Sequence, residues 1–543
     1  MNMKTYLKTA VAVLCVGGLI SSCSNNLDEK VYSLVTEETY NYSTEDFHPT
    51  VASVYSYLRF IGHDNYWATQ ELTGDCIVNP PNSSGWDDGG TYRMLHYHKW
   101  TSEQNHVRVM WEKFYQGVVL CNTVIDQIEN GVLPAPSDDE KRKGLAELRA
   151  VRAYYNWLIC DNFGDAPLLK TRTSELPEKS SRKDIYQFVV DELKEVIPDL
   201  DEQQGGNMYG RINKWAGMTL LANVYLNAKV YIGEEHWQDC LDVCDQIITS
   251  SPCGLSENYN ASFRATGTES SKEILFTIPF DKTLAGGQSI HMFSWHGELQ
   301  KKFKLEATPW GSGSGMALTQ FIDTYDENDT RLTDTWLMGD QYTPEGELLL
   351  CTYDMKGQPL SYIKDVKDGN YTNETDGYRM FKFEVPEGTT GSSDTDFPLH
   401  RYSEVLLMKA ECLLRLGKPG AGDLVTEVRR RNFKNNPEKA VVTDNDLKAN
   451  SSYQYGTVIN YVNQHNGDQS PIEFGRLLDE LGWEFAWEMH RRRDLIRFGI
   501  YTKKNWLSHD AAGEGDYRTV FPIPEAALTS NPQLTQNPDY ASK

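Results

Sequence analysis

Glu484 and Glu488 stand four residues apart, and paired carboxylates are what glycoside hydrolysis requires. Arg491 and Arg492 follow within a turn, at the spacing where helix side chains form ion pairs. Two glutamates projecting from one expected helix beside arginines stay ionised, whereas a general acid needs surroundings that raise its pKa. The pair therefore points to scaffold, not to hydrolysis. Other catalytic templates are missing: there is no glycine-x-serine-x-glycine elbow, no zinc-protease histidine pair and no phosphate-binding Walker loop. Asp326-Glu327-Asn328-Asp329-Thr330 starts like a calcium loop but lacks the sixth-position glycine and twelfth-position glutamate, and is assigned to the end of a helix over 316–325. His96 and His98, like Cys240 and Cys244, have no partners at zinc-site spacing. The chain is expected not to be an enzyme and to use no metal or cofactor.

The elements that would position any site are mostly helical. Leu145, Leu148, Tyr155, Leu158 and Ile159 fall on one face of a predicted helix over 139–160, and Asn162-Phe163-Gly164 stops it. Further helices are predicted over 184–197, where Pro198 ends the pattern, and over 211–231, 237–248, 402–416 and 423–431. Two of them, 222–248 and 410–428, share an order of helix, glycine-bearing turn, helix. That is the unit of tetratricopeptide-like repeats, without a strict 34-residue period. From about 251 to 398 the character changes to glycine-rich pieces such as Gly311-Ser312-Gly313-Ser314-Gly315 and short alternating runs such as 274–278. The fold class is mainly α, a degenerate tetratricopeptide-like scaffold with a loop-rich insertion containing a few short strands. Loops on a rigid frame are where binding residues concentrate.

Residues 1–8 are cationic, 9–20 are apolar and Ser21-Ser22 precedes Cys23, an order resembling a bacterial lipoprotein signal. Removal of residues 1–22 would leave a lipid-bearing Cys23 at the head of a single domain, 23–543, with 23–30 a flexible tether. The formal charge of the whole chain is -24. A surface this acidic repels phosphate backbones, so nucleic acid is not an expected partner, and a neutral ligand suits it better than an acidic one. The eight cysteines after Cys23 are scattered, too sparse for a disulfide-built scaffold, and Cys121, Cys160 and Cys412 sit in apolar helical patterns as core residues.

Ordered blocks along the chain carry a family resemblance. They are Leu27-Asp28; Ala146-Glu147-Leu148-Arg149-Ala150 through Asp161-Asn162-Phe163-Gly164; Arg211-Ile212-Asn213-Lys214-Trp215; Arg401-Tyr402-Ser403-Glu404; Glu484-Phe485-Ala486-Trp487-Glu488 with Arg491 and Asp494; and Pro522-Ile523-Pro524 through Asn537-Pro538. The chain resembles the SusD/RagB-like family, surface glycan-binding lipoproteins that work with SusC-like TonB-dependent transporters in Bacteroidetes. Glu480-Leu481 and Glu488-Met489 depart from the family's usual glutamate-arginine and glutamate-glycine, which bears on local packing. The resemblance implies a non-catalytic protein that is lipid-anchored to the outer membrane and faces the cell exterior. It would capture an oligosaccharide or polysaccharide and deliver it to a transporter barrel. A peptide-binding member of the same family and a glycan hydrolase are the alternatives.

A glycan binder needs aromatic faces for the apolar C–H side of a pyranose and planar polar groups for its hydroxyls. Of 13 tryptophans, three lie in turn-rich polar company: Trp86 in Asn82-Ser83-Ser84-Gly85-Trp86-Asp87, Trp295 in Ser294-Trp295-His296-Gly297, and Trp310 beside the glycine-serine run. Tyr66 and Trp67 join the aromatic candidates, and Asp75, Asn82 and Asp87 are the expected hydroxyl partners. Three stacked rings at about 0.5 to 1.5 kcal/mol each, with a few hydrogen bonds near 1 kcal/mol each, give an affinity of roughly millimolar to tens of micromolar.

Overall fold

The computed structural model describes residues 40–513 and 515–540. The signal segment, Cys23 and the tether lie outside the described residues. The helical frame begins with α1 (Asn105–Glu129) and α2 (Asp138–Phe163) and continues through α3 (Arg182–Val196), α4 (Lys214–Leu226) and α5 (Trp237–Ser250). It resumes with α6 (Tyr402–Arg415), α7 (Ala421–Arg430), α8 (Gly475–Phe485) and α9 (Arg491–Arg497). In the first half α1 packs on α2 and α2 on α3; α4 packs on α5, α5 on α6 and α6 on α7. From Thr44 onward the described residues belong to one compact unit.

Local chemistry sets the helix ends. Ser137 caps α2 by accepting from the Glu140 N–H at 3.2 Å, ahead of three acids in the first turn, and Gly164 at φ 67° terminates it. Ser181 and Asp184 form a reciprocal capping box at the start of α3, the kind of cap whose loss costs about 1 kcal/mol. No helix is predicted over α1, although Val107, Met110, Trp111, Phe114, Val118 and Cys121 bury one face of it. Its many β-branched residues and Gly117 lower helix propensity, and Gly117 has a packing reason. A Cβ there would meet the Tyr155 ring of α2 at 2.3 Å, so glycine sets how closely the two helices approach.

The middle of the chain folds around small sheets. Strands β1 (Ile77–Val78), β3 (Met316–Ala317), β5 (Arg379–Met380) and β4 (Trp336–Leu337) form an antiparallel sheet in that order, with Ile77 opposite Ala317 and Trp336 opposite Met380. β2 (Ile274–Ile278) pairs with β6 (Phe397–Arg401) just ahead of α6. Two local expectations are corrected here. The helix expected over 316–325 is a strand followed by one short turn, Thr319–Ile322, because Met316 and Ala317 are drawn into the sheet. Glu484 and Glu488 do not share a helix: α8 ends at Phe485, Trp487 and Met489 take positive φ of 69° and 65°, and a new helix starts at Arg491.

That break lets the two glutamates reach charges from other parts of the chain. Glu484 meets Arg331 at 3.2 Å, Arg401 at 2.9 Å and Arg431 at 2.6 Å; Glu488 meets Arg401 at 2.6 Å and Lys382 at 2.5 Å. Glu273, Glu480, Asp329 and Arg429 complete a buried set of five cations and five carboxylates. Burial alone would raise the pKa of Glu484, but the arginines outweigh it and hold the carboxyl at about 2. Arg491, the expected helix partner, instead grips Asp75 at 2.6 Å.

Candidate functional site

Two loops meet at the surface beside the four-stranded sheet. The sheet fixes the short helix Ile290–Ser294: the Met380 N–H donates to Ser294 Oγ at 2.8 Å, and Trp295 Nε1 donates to the Met380 carbonyl at 2.6 Å. From that anchor Phe293 supports the second loop, its carbonyl accepting from the Ser314 N–H at 2.9 Å. The Trp310 N–H donates to the Met292 carbonyl at 3.0 Å, and the Trp310 indole stands edge-to-face on Phe293, with centroids 4.6 Å apart. Trp310 is 48 % exposed and is alone among the tryptophans in that class.

The first loop, 82–90, is bound to the second through Asn82. Its Nδ2 donates to Ser314 Oγ, and its Oδ1 accepts from Ser84 N at 3.0 Å and Ser84 Oγ at 2.6 Å. Gly311 lies against Ser84 so closely that a Cβ would meet Ser84 Oγ at 2.5 Å, and its φ of 61° also favours glycine. Trp86, half-buried, tilts over Tyr92 at 5.0 Å, and Tyr92 packs on Phe293 at 5.8 Å. Trp86, Tyr92, Phe293 and Trp310 are thus one connected series of rings. The series continues inward through Trp67, which stacks on Phe293 at 5.7 Å and on Trp487 at 5.9 Å with planes 5° apart.

The predicted residues divide accordingly. Trp86, Trp310 and Asp87 are brought together at the surface, Asp87 pairing with Arg93 at 2.8 Å. The expectation of exposed faces at Trp295, Tyr66 and Trp67 is corrected. Trp295 is 1 % exposed and stacks on Phe303 at 4.1 Å, Trp67 is fully enclosed beneath the loops, and Tyr66 packs edge-on against Phe60 and Phe114. Turn-rich flanks did not prevent burial because the indole N–H of Trp295 found a carbonyl in the sheet. Asp75 is also corrected: it is buried, its carboxylate taken by Arg491 and the Tyr455 hydroxyl. Asn82 is buried and spends its amide on the loop junction, so it shapes the surface instead of facing a ligand.

Sequence reasoning passed over Tyr353 and Tyr371, 39 % and 37 % exposed. Tyr371 precedes Thr372, whose N–H donates to the Pro81 carbonyl at 3.0 Å beside the first loop. The Tyr371 hydroxyl reaches Asp354, next to Tyr353, at 3.2 Å. The signal is present in Asp368-Gly369-Asn370-Tyr371, a turn-rich context like that of Trp86. The arrangement offers exposed aromatic faces held by hydrogen bonds at their bases, a surface for stacking on flat apolar faces.

Comparison with known proteins places the fold. Residues 272–540 match the model of the SusD family, and residues 26–226 match a second model described as "Starch-binding associating with outer membrane". The starch-binding protein SusD of Bacteroides thetaiotaomicron is 24 % identical over 99 % of this chain and 100 % of its own. Among solved structures, a SusD superfamily protein from Bacteroides vulgatus superposes with a TM-score of 0.67 at 20 % identity, covering 92 % of this chain and 99 % of its own. The surface glycan-binding protein A of Bacteroides thetaiotaomicron in complex with laminarihexaose gives 0.66 at 19 % identity, covering 91 % and 99 %. The chain belongs to the SusD family.

Proposed function

We propose that this protein is a non-catalytic glycan-binding lipoprotein of the outer membrane, anchored through Cys23 and facing the cell exterior. It captures an uncharged oligosaccharide or polysaccharide on the Trp86–Trp310 surface and delivers it to a SusC-like TonB-dependent transporter. The observation that carries the reading is Trp310, half-exposed on a rigid base and joined through Phe293 and Tyr92 to Trp86. Family membership supports it, as do the names of a starch-binding relative and of a glycan-binding neighbour with laminarihexaose. The non-catalytic reading is supported by the fate of the one carboxylate pair that invited a hydrolase, since Glu484 and Glu488 are buried and bound to arginines.

Affinity electrophoresis of the purified protein through gels containing starch, laminarin and other neutral polysaccharides tests the binding. Retardation by at least one, weakened in Trp310→Ala, is expected; no retardation by any neutral glycan would sink it. Released reducing ends would establish a hydrolase. Recovery of a large β-barrel with the protein from mildly solubilised outer membranes tests the delivery step, and membrane release by Cys23→Ala tests the anchor.

A further inference from the structure

A cavity of about 410 Å³ opens between the segments 260–264, 295–303 and 381–385, and no ring of the Trp86–Trp310 series lines it. Phe263, Phe303, Phe381 and Phe383 supply its aromatic wall, with Phe381 40 % exposed. The wall is rigid. Phe303 is backed by the buried Trp295 at 4.1 Å, Phe263 and Phe383 meet edge-on at 5.5 Å, and the Phe381 N–H donates to the Thr335 carbonyl at 2.8 Å.

Polar groups of both kinds share the cavity. Asn260 is half-buried there, and its side-chain amide makes no hydrogen bond to the described protein. Asp334 is also half-buried in the lining, with its carboxyl raised by burial above the ordinary carboxylate range. Arg264 and Glu384 lie 4.0 Å apart. Lys382 is fully engaged below, donating to the Glu484 and Ala486 carbonyls and to Glu488. Lys382 is matched by Glu488 and Arg264 faces Glu384, so neither cation is left over for an anionic guest and the cavity suits an uncharged one. Its volume falls in the range that encloses a small ligand.

We infer that this cavity is a second sugar site that takes a single uncharged pyranose unit, stacking its C–H face on Phe381 and presenting hydroxyls to Asn260 and Asp334. It is separate from the loop surface and does not depend on that surface binding glycan. A free amide beside aromatic faces and a carboxyl is the donor, acceptor and apolar set that a sugar ring needs, whereas a purely aromatic guest would leave the Asn260 amide without a partner.

Saturation-transfer NMR on the full chain tests it, with glucose, galactose, mannose, xylose and phenol as separate probes. A Trp86→Ala/Trp310→Ala double variant removes the loop surface. At least one sugar is expected to show saturation in that variant, and the signal should fall several-fold when Asn260→Ala or Phe381→Ser is added. Near-UV circular dichroism checks that each variant is folded; should Phe381→Ser unfold, Asn260→Ala decides alone. No sugar signal in the double variant, a signal indifferent to the cavity substitutions, or saturation of phenol only would overturn the assignment. Loss of polysaccharide retardation in the double variant would report on the loop surface independently.

Discussion

The buried charge cluster around Arg401 and the surface around Trp310 use opposite physics. In the first, five cations and five carboxylates are enclosed, and all but Asp329, which is held by nearby Arg331, are satisfied by a partner from a distant part of the chain. In the second, the charges are few, the contacts are ring on ring, and one indole is left half in water. Charged motif residues that would attract attention as catalysts hold the helices together. Plain aromatic residues on loops are what the molecule turns outward. Motif residues here report on architecture, while function is sought in the loops.

The largest expected effect tests the first half of that contrast. Arg401→Ala removes one cation from Glu273, Glu484 and Glu488 at once, leaving three buried carboxylates under-compensated, and should cost about 3 to 5 kcal/mol in urea unfolding, the usual consequence of breaking a buried pair from one side. The fraction that remains folded should bind glycan as before; a variant of full stability with lost binding would reverse the comparison. Acid should act next. Glu404, Glu411 and Glu484 are each held at about 2, below the ordinary 4.5, by neighbouring histidines or arginines acting against burial. Their stabilisation is complete above pH 4.5 and is lost as pH falls from there toward 2, so melting temperature should drop through that window, with binding following the folded fraction.

Glu71 sharpens the point with the opposite sign. Burial pushes its carboxyl up to about 8, one oxygen accepting from the Met489 N–H and the other having no partner among the described residues. What the neutral carboxyl contributes is present below pH 4.5 and declines as pH rises toward 8. Glu71→Gln should therefore gain melting temperature over the native protein as pH rises from 5 to 8, and a flat difference would show that Glu71 is ionised throughout. On the loop side, Trp310→Ala should lower glycan affinity by roughly two- to tenfold, as one stacked ring of about 0.5 to 1.5 kcal/mol implies, measured by calorimetry with unfolding unchanged. Trp86→Ala should do less, because part of that ring is already spent on Tyr92.

Much of the frame was legible. Predicted helices over 139–160, 184–197, 237–248, 402–416 and 423–431 correspond to observed helices displaced by a few residues at their ends, because apolar spacing and capping residues agree locally. The mainly α class with short strands in the middle also holds. What failed was long-range. Whether Trp295 faces water depends on a carbonyl at Met380, and whether Asp75 is free depends on Arg491, more than four hundred residues away. No local pattern carries such information. Composition around an indole separates helix from loop, but it does not separate a loop that covers a sheet from one that lies open.

The contact between Gly311 and Ser84, with Asn82 bonded across it, joins the two loops into a single plate. A side chain at Gly311 would have to push the Ser84 loop away, so one substitution there is expected to shift the seats of both indoles while altering neither ring.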